Sequence, residues 1–193
     1  GIQLFSLFSA KPGLLELVAE IMGTAPRLAS WLSRHPVLLD GVLSQDFFRP
    51  LEDTKVKTAG LAEAEAEAND FQAILEIQRR WANDKVFQIG TQILRGKLSP
   101  TDASGPLTSV ADICLSSLLT SVTKNFRDQH GEVLGGELAV VSCGKLGCRE
   151  MTVGSDLDLL FVYDCPSNVG ESDGKRRLPV AQYYSRLSQR LIG

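Results

Sequence analysis

The feature that most constrains this 193-residue chain is a pair of short apolar segments joined by a glycine-containing link. The first segment, Glu137–Cys143, is rich in small and β-branched residues and lies between glycines, which predicts a buried strand. The second segment, Asp156–Asp164, alternates in the manner of a strand, with Leu159 and Phe161 on one face. The sequence therefore predicts a small sheet in this part of the chain.

Two aspartates open the second predicted strand. Because strand side chains alternate between faces, Asp156 and Asp158 are expected on the same side, with Cα atoms roughly 6–7 Å apart. Carboxylates that close repel each other, and both stay ionised only when a cation or strong donors compensate their charge. A pair that grips hard divalent ions suits nucleotidyl transfer. A solvated strand end is the alternative interpretation of an Asp-x-Asp sequence, and the neighbouring glycine turn favours the metal–nucleotide site.

The link between the strands supplies that glycine turn. Gly144 and Gly147 permit a tight backbone turn whose amide groups can face an anion. The turn is not a Walker P-loop, because Ala139 and Leu146 stand where that motif requires Gly and Ser or Thr. The link therefore predicts a phosphate-binding turn of a different kind.

Zinc binding is a second alternative for this region. Cys143, Cys148, Cys165 and His130 carry suitable donor atoms, but their spacing matches no usual zinc pattern. Buried, reduced cysteines are the favoured interpretation. Four cysteines without a disulfide pattern indicate a reducing compartment, and we expect a cytoplasmic protein.

Composition excludes several classes of partner. A hydrophobic share of 44% and a charged share of 22% are typical of a globular protein. A net charge of -3 provides no basic surface for nucleic acid. No uninterrupted apolar run approaches the roughly 20 residues that span a bilayer, so no membrane partner is expected.

The chain before the sheet is predicted to be helical up to about Gly131. A first helix follows Pro12, and a single long helix is expected from Ala62 to Arg95. Shorter helices are expected after Thr24 and from Pro36, and a further helix ends at Gly131. The predicted apolar stripe of the first helix consists of Leu14, Leu15, Val18, Ile21 and Met22. The predicted apolar stripe of the helix that ends at Gly131 consists of Leu107, Val110, Ala111, Cys114, Leu118, Val122 and Phe126.

Beyond the sheet we expect a polar, mobile loop from Pro166 to Arg177 and a last helix from Pro179 to Leu191. The fold class is therefore α+β.

Taken together, the motif residues resemble a known family. The pattern Gly-Lys-Leu-Gly-x-Arg-Glu-x-x-x-Gly-Ser-Asp-Leu-Asp-Leu-x-Phe, from Gly144 to Phe161, is similar to the core of the glutamine synthetase adenylyltransferase family, a branch of the DNA polymerase β-type nucleotidyltransferases. Stretches 32–40, 79–96 and 184–192 agree with it. Cys148 departs from the family pattern, which usually has a second glycine there, and we expect its Cβ to narrow the turn.

The resemblance implies a mainly helical region, residues 1–104, followed by an incomplete polymerase β-like nucleotidyltransferase core with a small sheet, residues 105–193. It implies AMP transfer from ATP to a tyrosine of glutamine synthetase, with a PII-type signalling protein as regulator. The sequence of the motif resembles the adenylylating half of these enzymes more than the half that removes AMP. The half that removes AMP by phosphorolysis, and a non-catalytic module that docks glutamine synthetase or the regulator, remain alternatives.

The resemblance also assigns the site. Asp156 and Asp158 are the implied catalytic residues and Mg²⁺ ligands. Gly144, Lys145, Gly154 and Ser155 are the implied nucleotide-binding residues, and an exposed turn lysine is an equally weighted interpretation of Lys145. For Arg149 and Glu150 a structural ion pair is favoured over catalysis.

Family sites use a third carboxylate on a later strand. Asp164 and Asp173 are in the wrong place to substitute for it, so we expect this chain to be a truncated piece that transfers AMP negligibly by itself.

Overall fold

The computed structural model describes residues 8–36, 38–42, 45–48 and 54–192. Helices are followed by a two-stranded antiparallel sheet and a last helix, which confirms the α+β class. From residue 12 onward the elements are α1 (Pro12–Thr24), α2 (Pro26–Arg34), α3 (Leu38–Val42), a 3₁₀ helix (Gln45–Phe48), α4 (Thr54–Ala66), α5 (Phe71–Leu94), α6 (Ser104–His130), β1 (Glu137–Ser142), α7 (Gly144–Gly147), β2 (Leu159–Asp164) and α8 (Val180–Ile192).

The first helices begin at prolines, whose fixed φ suits the first helical turn. In α1 the buried side chains are Leu14, Leu17 and Ile21. Two members of the predicted stripe, Leu15 and Met22, are 50% and 49% exposed, so the stripe was wrong at these positions. The buried face follows the three- and four-residue spacing of one helix side.

The predicted single helix from Ala62 to Arg95 is also wrong, because the chain breaks between α4 and α5. Asp70 has an extended backbone, and its carboxylate accepts a hydrogen bond from the Ala73 amide at 2.8 Å. Such an N-cap satisfies an amide that the first helical turn leaves unpaired, and it starts a new helix. The helix-forming Ala/Glu run belongs to α4 alone.

Helix α6 lies at the centre of the molecule and packs against both α5 and α8. It ends at His130 with Gly131 following, as predicted. Most of the predicted stripe is buried, whereas Cys114 and Leu118 are half-buried.

Among the described residues, α6 is the one helix long and apolar enough, by length and composition, to cross a membrane. About 33% of its apolar window is buried in the structure. This is weak evidence for a membrane helix, since core helices of soluble proteins pass the same test.

Strands β1 and β2 pair in the register Glu137↔Asp164 to Ser142↔Leu159. The second strand begins at Leu159 rather than at Asp156, so the aspartates lie in the segment that leads into it. Leu138, Val140, Leu159 and Phe161 are the half-buried apolar residues of the inner face, whereas Ala139, Val141, Leu160 and Val162 are exposed on the outer face.

The segment between β2 and α8 is fastened to the end of α6, contrary to the expected mobile loop. The Asp173 and Gly174 amides donate to the Glu132 and His130 carbonyls. Ser172 is buried, and its hydroxyl accepts from the Leu178 amide. These bonds require an ordered path before α8.

Three apolar clusters hold these elements together. The amino-terminal cluster contains Leu14, Leu17, Ile21, Leu28, Leu32, Leu39, Val42 and Phe87. The central cluster contains Ile89, Ala103, Leu107, Val110, Ala111, Leu146 and Met151. The carboxy-terminal cluster contains Val122, Phe126, Val133, Leu178, Val180, Tyr183, Tyr184 and Leu187. The predicted boundary between residues 104 and 105 lies in the first turn of α6, and the division into two domains stays a prediction.

Candidate functional site

The link between the strands forms the tight turn that its glycines predicted. Gly144 has φ +52, and a Cβ on Gly147 would lie 2.6 Å from the Ser142 carbonyl oxygen. The Gly147 amide donates to the Cys143 carbonyl at 2.9 Å. Gly144 is therefore favoured by its left-handed backbone and Gly147 by the close approach of the Ser142 carbonyl, and the turn leads directly out of β1.

Asp158 lies beside this turn, and Asp156 precedes Asp158 by two residues in the segment that leads into β2. The Cys143 amide donates to the Asp158 carbonyl at 2.8 Å, which extends the strand pairing by one bond. The Asp158 carboxylate lies against Gly144, where a Cβ would clash with Oδ2 and lie 3.1 Å from Cγ. Asp156 and Asp158 are both exposed. Within the part of the chain that the structure describes, neither carboxylate has an ion pair or a hydrogen bond.

The chemistry of these groups fits Mg²⁺, which prefers carboxylate oxygens and keeps several waters. The fit is partial, since no group of three His, Cys, Asp or Glu side chains within the described residues is placed to hold a metal ion. The magnesium site thus stays a prediction in which Asp156 and Asp158 provide two ligands.

The Thr152–Ser155 segment forms a closed turn immediately before the aspartates. The Ser155 amide donates to the Thr152 carbonyl at 3.0 Å, and the Thr152 amide donates to the Ser155 hydroxyl at 2.9 Å. The two hydroxyl oxygens are also 2.9 Å apart. Ser155 therefore has a structural role in this turn, and its predicted contact with phosphate stays a prediction.

The three charged residues of the turn differ in their partners. Arg149 forms an ion pair with Asp112 of α6 at 3.3 Å, which confirms the favoured structural interpretation for this arginine. Its backbone has φ +60, uncommon for a side chain other than glycine. Lys145 and Glu150 are exposed, and Lys145 keeps both of its interpretations.

The other two carboxylates considered from the sequence lie away from the turn. Asp164 ends β2, and its carboxylate accepts from the Cys165 amide at 2.9 Å. Asp173 accepts from the Glu132 amide at 2.7 Å. Each is engaged with backbone near the opposite end of the strand pair, as expected for carboxylates that do not complete the site.

The cysteines are free thiols. Burial, with a smaller contribution from Glu65, raises the pKa of the Cys114 thiol to about 11, so this side chain stays protonated and unreactive near neutral pH. Cys148 is exposed, with φ -80, an ordinary conformation for any side chain. The expected narrowing of the turn by its Cβ finds no support in this backbone geometry.

Sequence reasoning missed one residue at the site. Arg27, in the first turn of α2, donates from Nη1 to the Gly154 carbonyl at 2.9 Å, across 127 positions of sequence. No local signal in the sequence predicts such a contact, because neither partner belongs to a pattern that includes the other.

The chain is similar to known proteins over nearly its whole length. Residues 15–193 match the family model described as glutamate-ammonia ligase adenylyltransferase. The chain is 38% identical over 192 residues to a protein of Mesorhizobium japonicum named bifunctional glutamine synthetase adenylyltransferase/adenylyl-removing enzyme. Proteins with the same name from Rhodopseudomonas palustris strain BisB5 and Brucella suis biovar 1 are 40% and 38% identical over 192 residues.

Each alignment covers 100% of this chain and 19–20% of the relative, so the chain spans about a fifth of the length of these curated relatives. A family model that matches nearly all of the sequence, with the glycine turn and the aspartates within the matched region, establishes the relationship. The chain belongs to the glutamate-ammonia ligase adenylyltransferase family.

Proposed function

We propose that this chain carries the metal-binding carboxylates of an enzyme that transfers AMP from ATP to a tyrosine of glutamine synthetase. The reaction is that of the whole protein. The matched relatives are about five times longer than this chain. The names of these relatives support the reaction class and the protein substrate. Regulation of nitrogen assimilation, a cytoplasmic location and control by a PII-type signalling protein are part of the same proposal.

One observation supports this function above all others. Asp156 and Asp158 are exposed and have no protein partner among the described residues, and Asp158 lies against Gly144, where β1, the glycine turn and the segment leading into β2 meet. Exposed carboxylates two residues apart that no basic or hydrogen-bonding group engages leave their oxygens available to a hard divalent cation. The arrangement therefore favours a divalent metal site over a merely solvated strand end.

Each residue then has a defined task. Asp156 and Asp158 would hold two Mg²⁺ ions through their carboxylate oxygens. Bound Mg²⁺ would supply charge neutralisation of the triphosphate. Lys145 and the backbone at Gly144 and Gly154 would orient the phosphates, with the Ser155 hydroxyl as a further contact. Because Asp158 covers one side of Gly144, phosphate would approach this turn from another side.

In the reaction, the tyrosine hydroxyl oxygen gives up its proton to solvent and forms a bond to the α-phosphorus, while the bond from that phosphorus to the oxygen shared with the β-phosphate breaks. AMP is thereby transferred and pyrophosphate leaves. The protein forms no covalent bond, so catalysis depends on positioning and on electrostatic stabilisation.

The first test uses the full-length protein with Asp156→Asn and Asp158→Asn. Each change removes a metal-binding charge with little change in shape, and we expect AMP transfer to glutamine synthetase to fall at least about 100-fold. Asp164→Asn is the matched control, since it changes an exposed carboxylate at the other end of the same strand. Full activity of both site variants would refute the proposal, and tight partner binding by them would then support the docking-module alternative.

A second assay distinguishes the direction of the reaction. The relatives are named for both addition and removal of AMP. We propose that this chain serves the addition. Loss of phosphate-dependent ADP release from adenylylated glutamine synthetase in Asp156→Asn, with AMP addition intact, would instead assign it to the removal activity. The 193-residue chain alone is expected to transfer AMP negligibly, which the same assay measures directly.

A further inference from the structure

The loop that precedes the aspartates is anchored in the helical layer. Met151 is buried in the central cluster, and Val153 packs against both the central and the amino-terminal clusters. Val153 belongs to the hydrogen-bonded Thr152–Ser155 turn, which connects Met151 to Asp156. The position of the acidic segment therefore depends on what holds this turn.

Packing leaves a gap at this place. A cavity of about 240 Å³ lies between the start of α2, the end of α5 and the loop, and its lining residues include Leu28, Ile93, Leu94 and Val153. The pocket is open to solvent, so the loop is covered by apolar side chains on one side only. A polar contact at this place therefore adds to what holds the loop.

Arg27 lines the same pocket and provides such a polar contact. Its Nη1 donates to the Gly154 carbonyl at 2.9 Å. Gly154 precedes Asp156 by two residues. Because the Thr152–Ser155 turn is internally hydrogen-bonded, we expect a displacement of the Gly154 carbonyl to move the aspartates that follow the turn.

We propose that Arg27 is a positioning residue that holds the Asp156–Asp158 segment in its metal-binding geometry. This inference rests on the proposed function, because it concerns the same carboxylates. It assigns α2, which is remote in sequence from the motif, to the construction of the site. Effects of misplacement are large in catalysis, since a shift of about 1 Å can cost about 100-fold in rate.

The test compares three variants of the full-length protein. Arg27→Met removes the hydrogen bond and keeps the apolar stem, Arg27→Lys keeps one donor, and Arg34→Met is the control. Arg34 lies on the same helix and is exposed, and its guanidinium donates to the Ser30 hydroxyl of that helix at 3.1 Å. We expect Arg27→Met to lower kcat about 10-fold with the KM for ATP unchanged within about 2-fold. Arg27→Lys is expected to recover part of this loss, and Arg34→Met to show none.

A second readout does not depend on catalysis. Amide hydrogen exchange in residues 152–158 is expected to accelerate at least about 5-fold in Arg27→Met and not in Arg34→Met. Mn²⁺ titration followed by electron paramagnetic resonance should show weaker binding in the same variant. Thermal unfolding of each variant confirms that the comparison is made between folded proteins, and Arg27→Lys serves where Arg27→Met does not fold.

The outcomes separate this inference from the function on which it rests. If Asp156→Asn is inactive while Arg27→Met equals Arg34→Met in kcat and exchange, the positioning role is overturned and the function stands. A raised KM for ATP with unchanged kcat would overturn it as well, in favour of direct phosphate binding by Arg27. If Asp156→Asn and Asp158→Asn retain full activity, the proposed function fails, whatever the exchange data show about the contact between Arg27 and Gly154.

Discussion

The two ends of the strand pair use the same acidic side chain in opposite ways. At one end, Asp156 and Asp158 are exposed and have no partner among the described residues. At the other end, Asp164 and Asp173 accept hydrogen bonds from the Cys165 and Glu132 amides. Exposure alone does not distinguish these carboxylates, since all four are exposed.

Their partners do distinguish them. A hydrogen bond to a charged acceptor contributes about 1.5–3 kcal/mol in favourable cases, so a carboxylate that caps a backbone amide stabilises the fold. Two neighbouring carboxylates without partners repel each other and contribute no such stability. We therefore expect substitutions at the turn to affect activity, and substitutions at the opposite end to affect stability.

Gly144→Ala is expected to have the largest effect of the three changes that probe this difference. The added methyl group would clash with the Asp158 carboxylate, and the backbone is left-handed at φ +52. Strain of about 1–2 kcal/mol and displacement of Asp158 should lower AMP transfer by the full-length protein more than about 10-fold. Transfer assays and urea unfolding measure the two effects.

Gly170→Ala is the matched control, because a Cβ there meets no atom within 4 Å. It should change neither activity nor stability appreciably. Equal behaviour of the two alanine variants would show that the approach of Asp158 to Gly144 has no functional importance.

Asp173→Ala is expected to have an intermediate effect, confined to stability. It removes the acceptor of the Glu132 amide, which joins the segment before α8 to the end of α6. We expect the free energy of unfolding to fall by about 1 kcal/mol, with AMP transfer per folded molecule unchanged. Asp173→Asn retains an acceptor and should lose less. A loss of transfer without a loss of stability would remove the contrast between the two ends.

Features that depend on residues close together in the sequence were predictable, whereas features that depend on contacts between distant residues were not. The sheet, its glycine turn and the last helix were predictable, because a short stretch of sequence indicates each of them. Gly144–Gly147 is the stretch that indicates the turn. The start of β2 at Leu159 was not predictable, since pairing with β1 determines it. The break before Asp70 was hidden by the helix propensity of the Ala/Glu run. The Arg27 contact with Gly154 has no local pattern at all, because the tertiary fold brings its partners together.

Cys148→Gly is expected to have the smallest effect, although it lies in the same turn as Gly144. The resemblance led us to expect a glycine at this position, and a wider turn without the Cys148 Cβ. In the structure Cys148 is exposed with φ -80, and its amide donates to the Gly144 carbonyl at 3.0 Å. A glycine relieves no strain there and adds freedom to the unfolded chain, so stability should fall by less than about 1 kcal/mol. AMP transfer should stay within about 2-fold of the unchanged protein; a severalfold gain, measured beside the loss in Gly144→Ala, would mean that the Cβ of Cys148 does restrict the site.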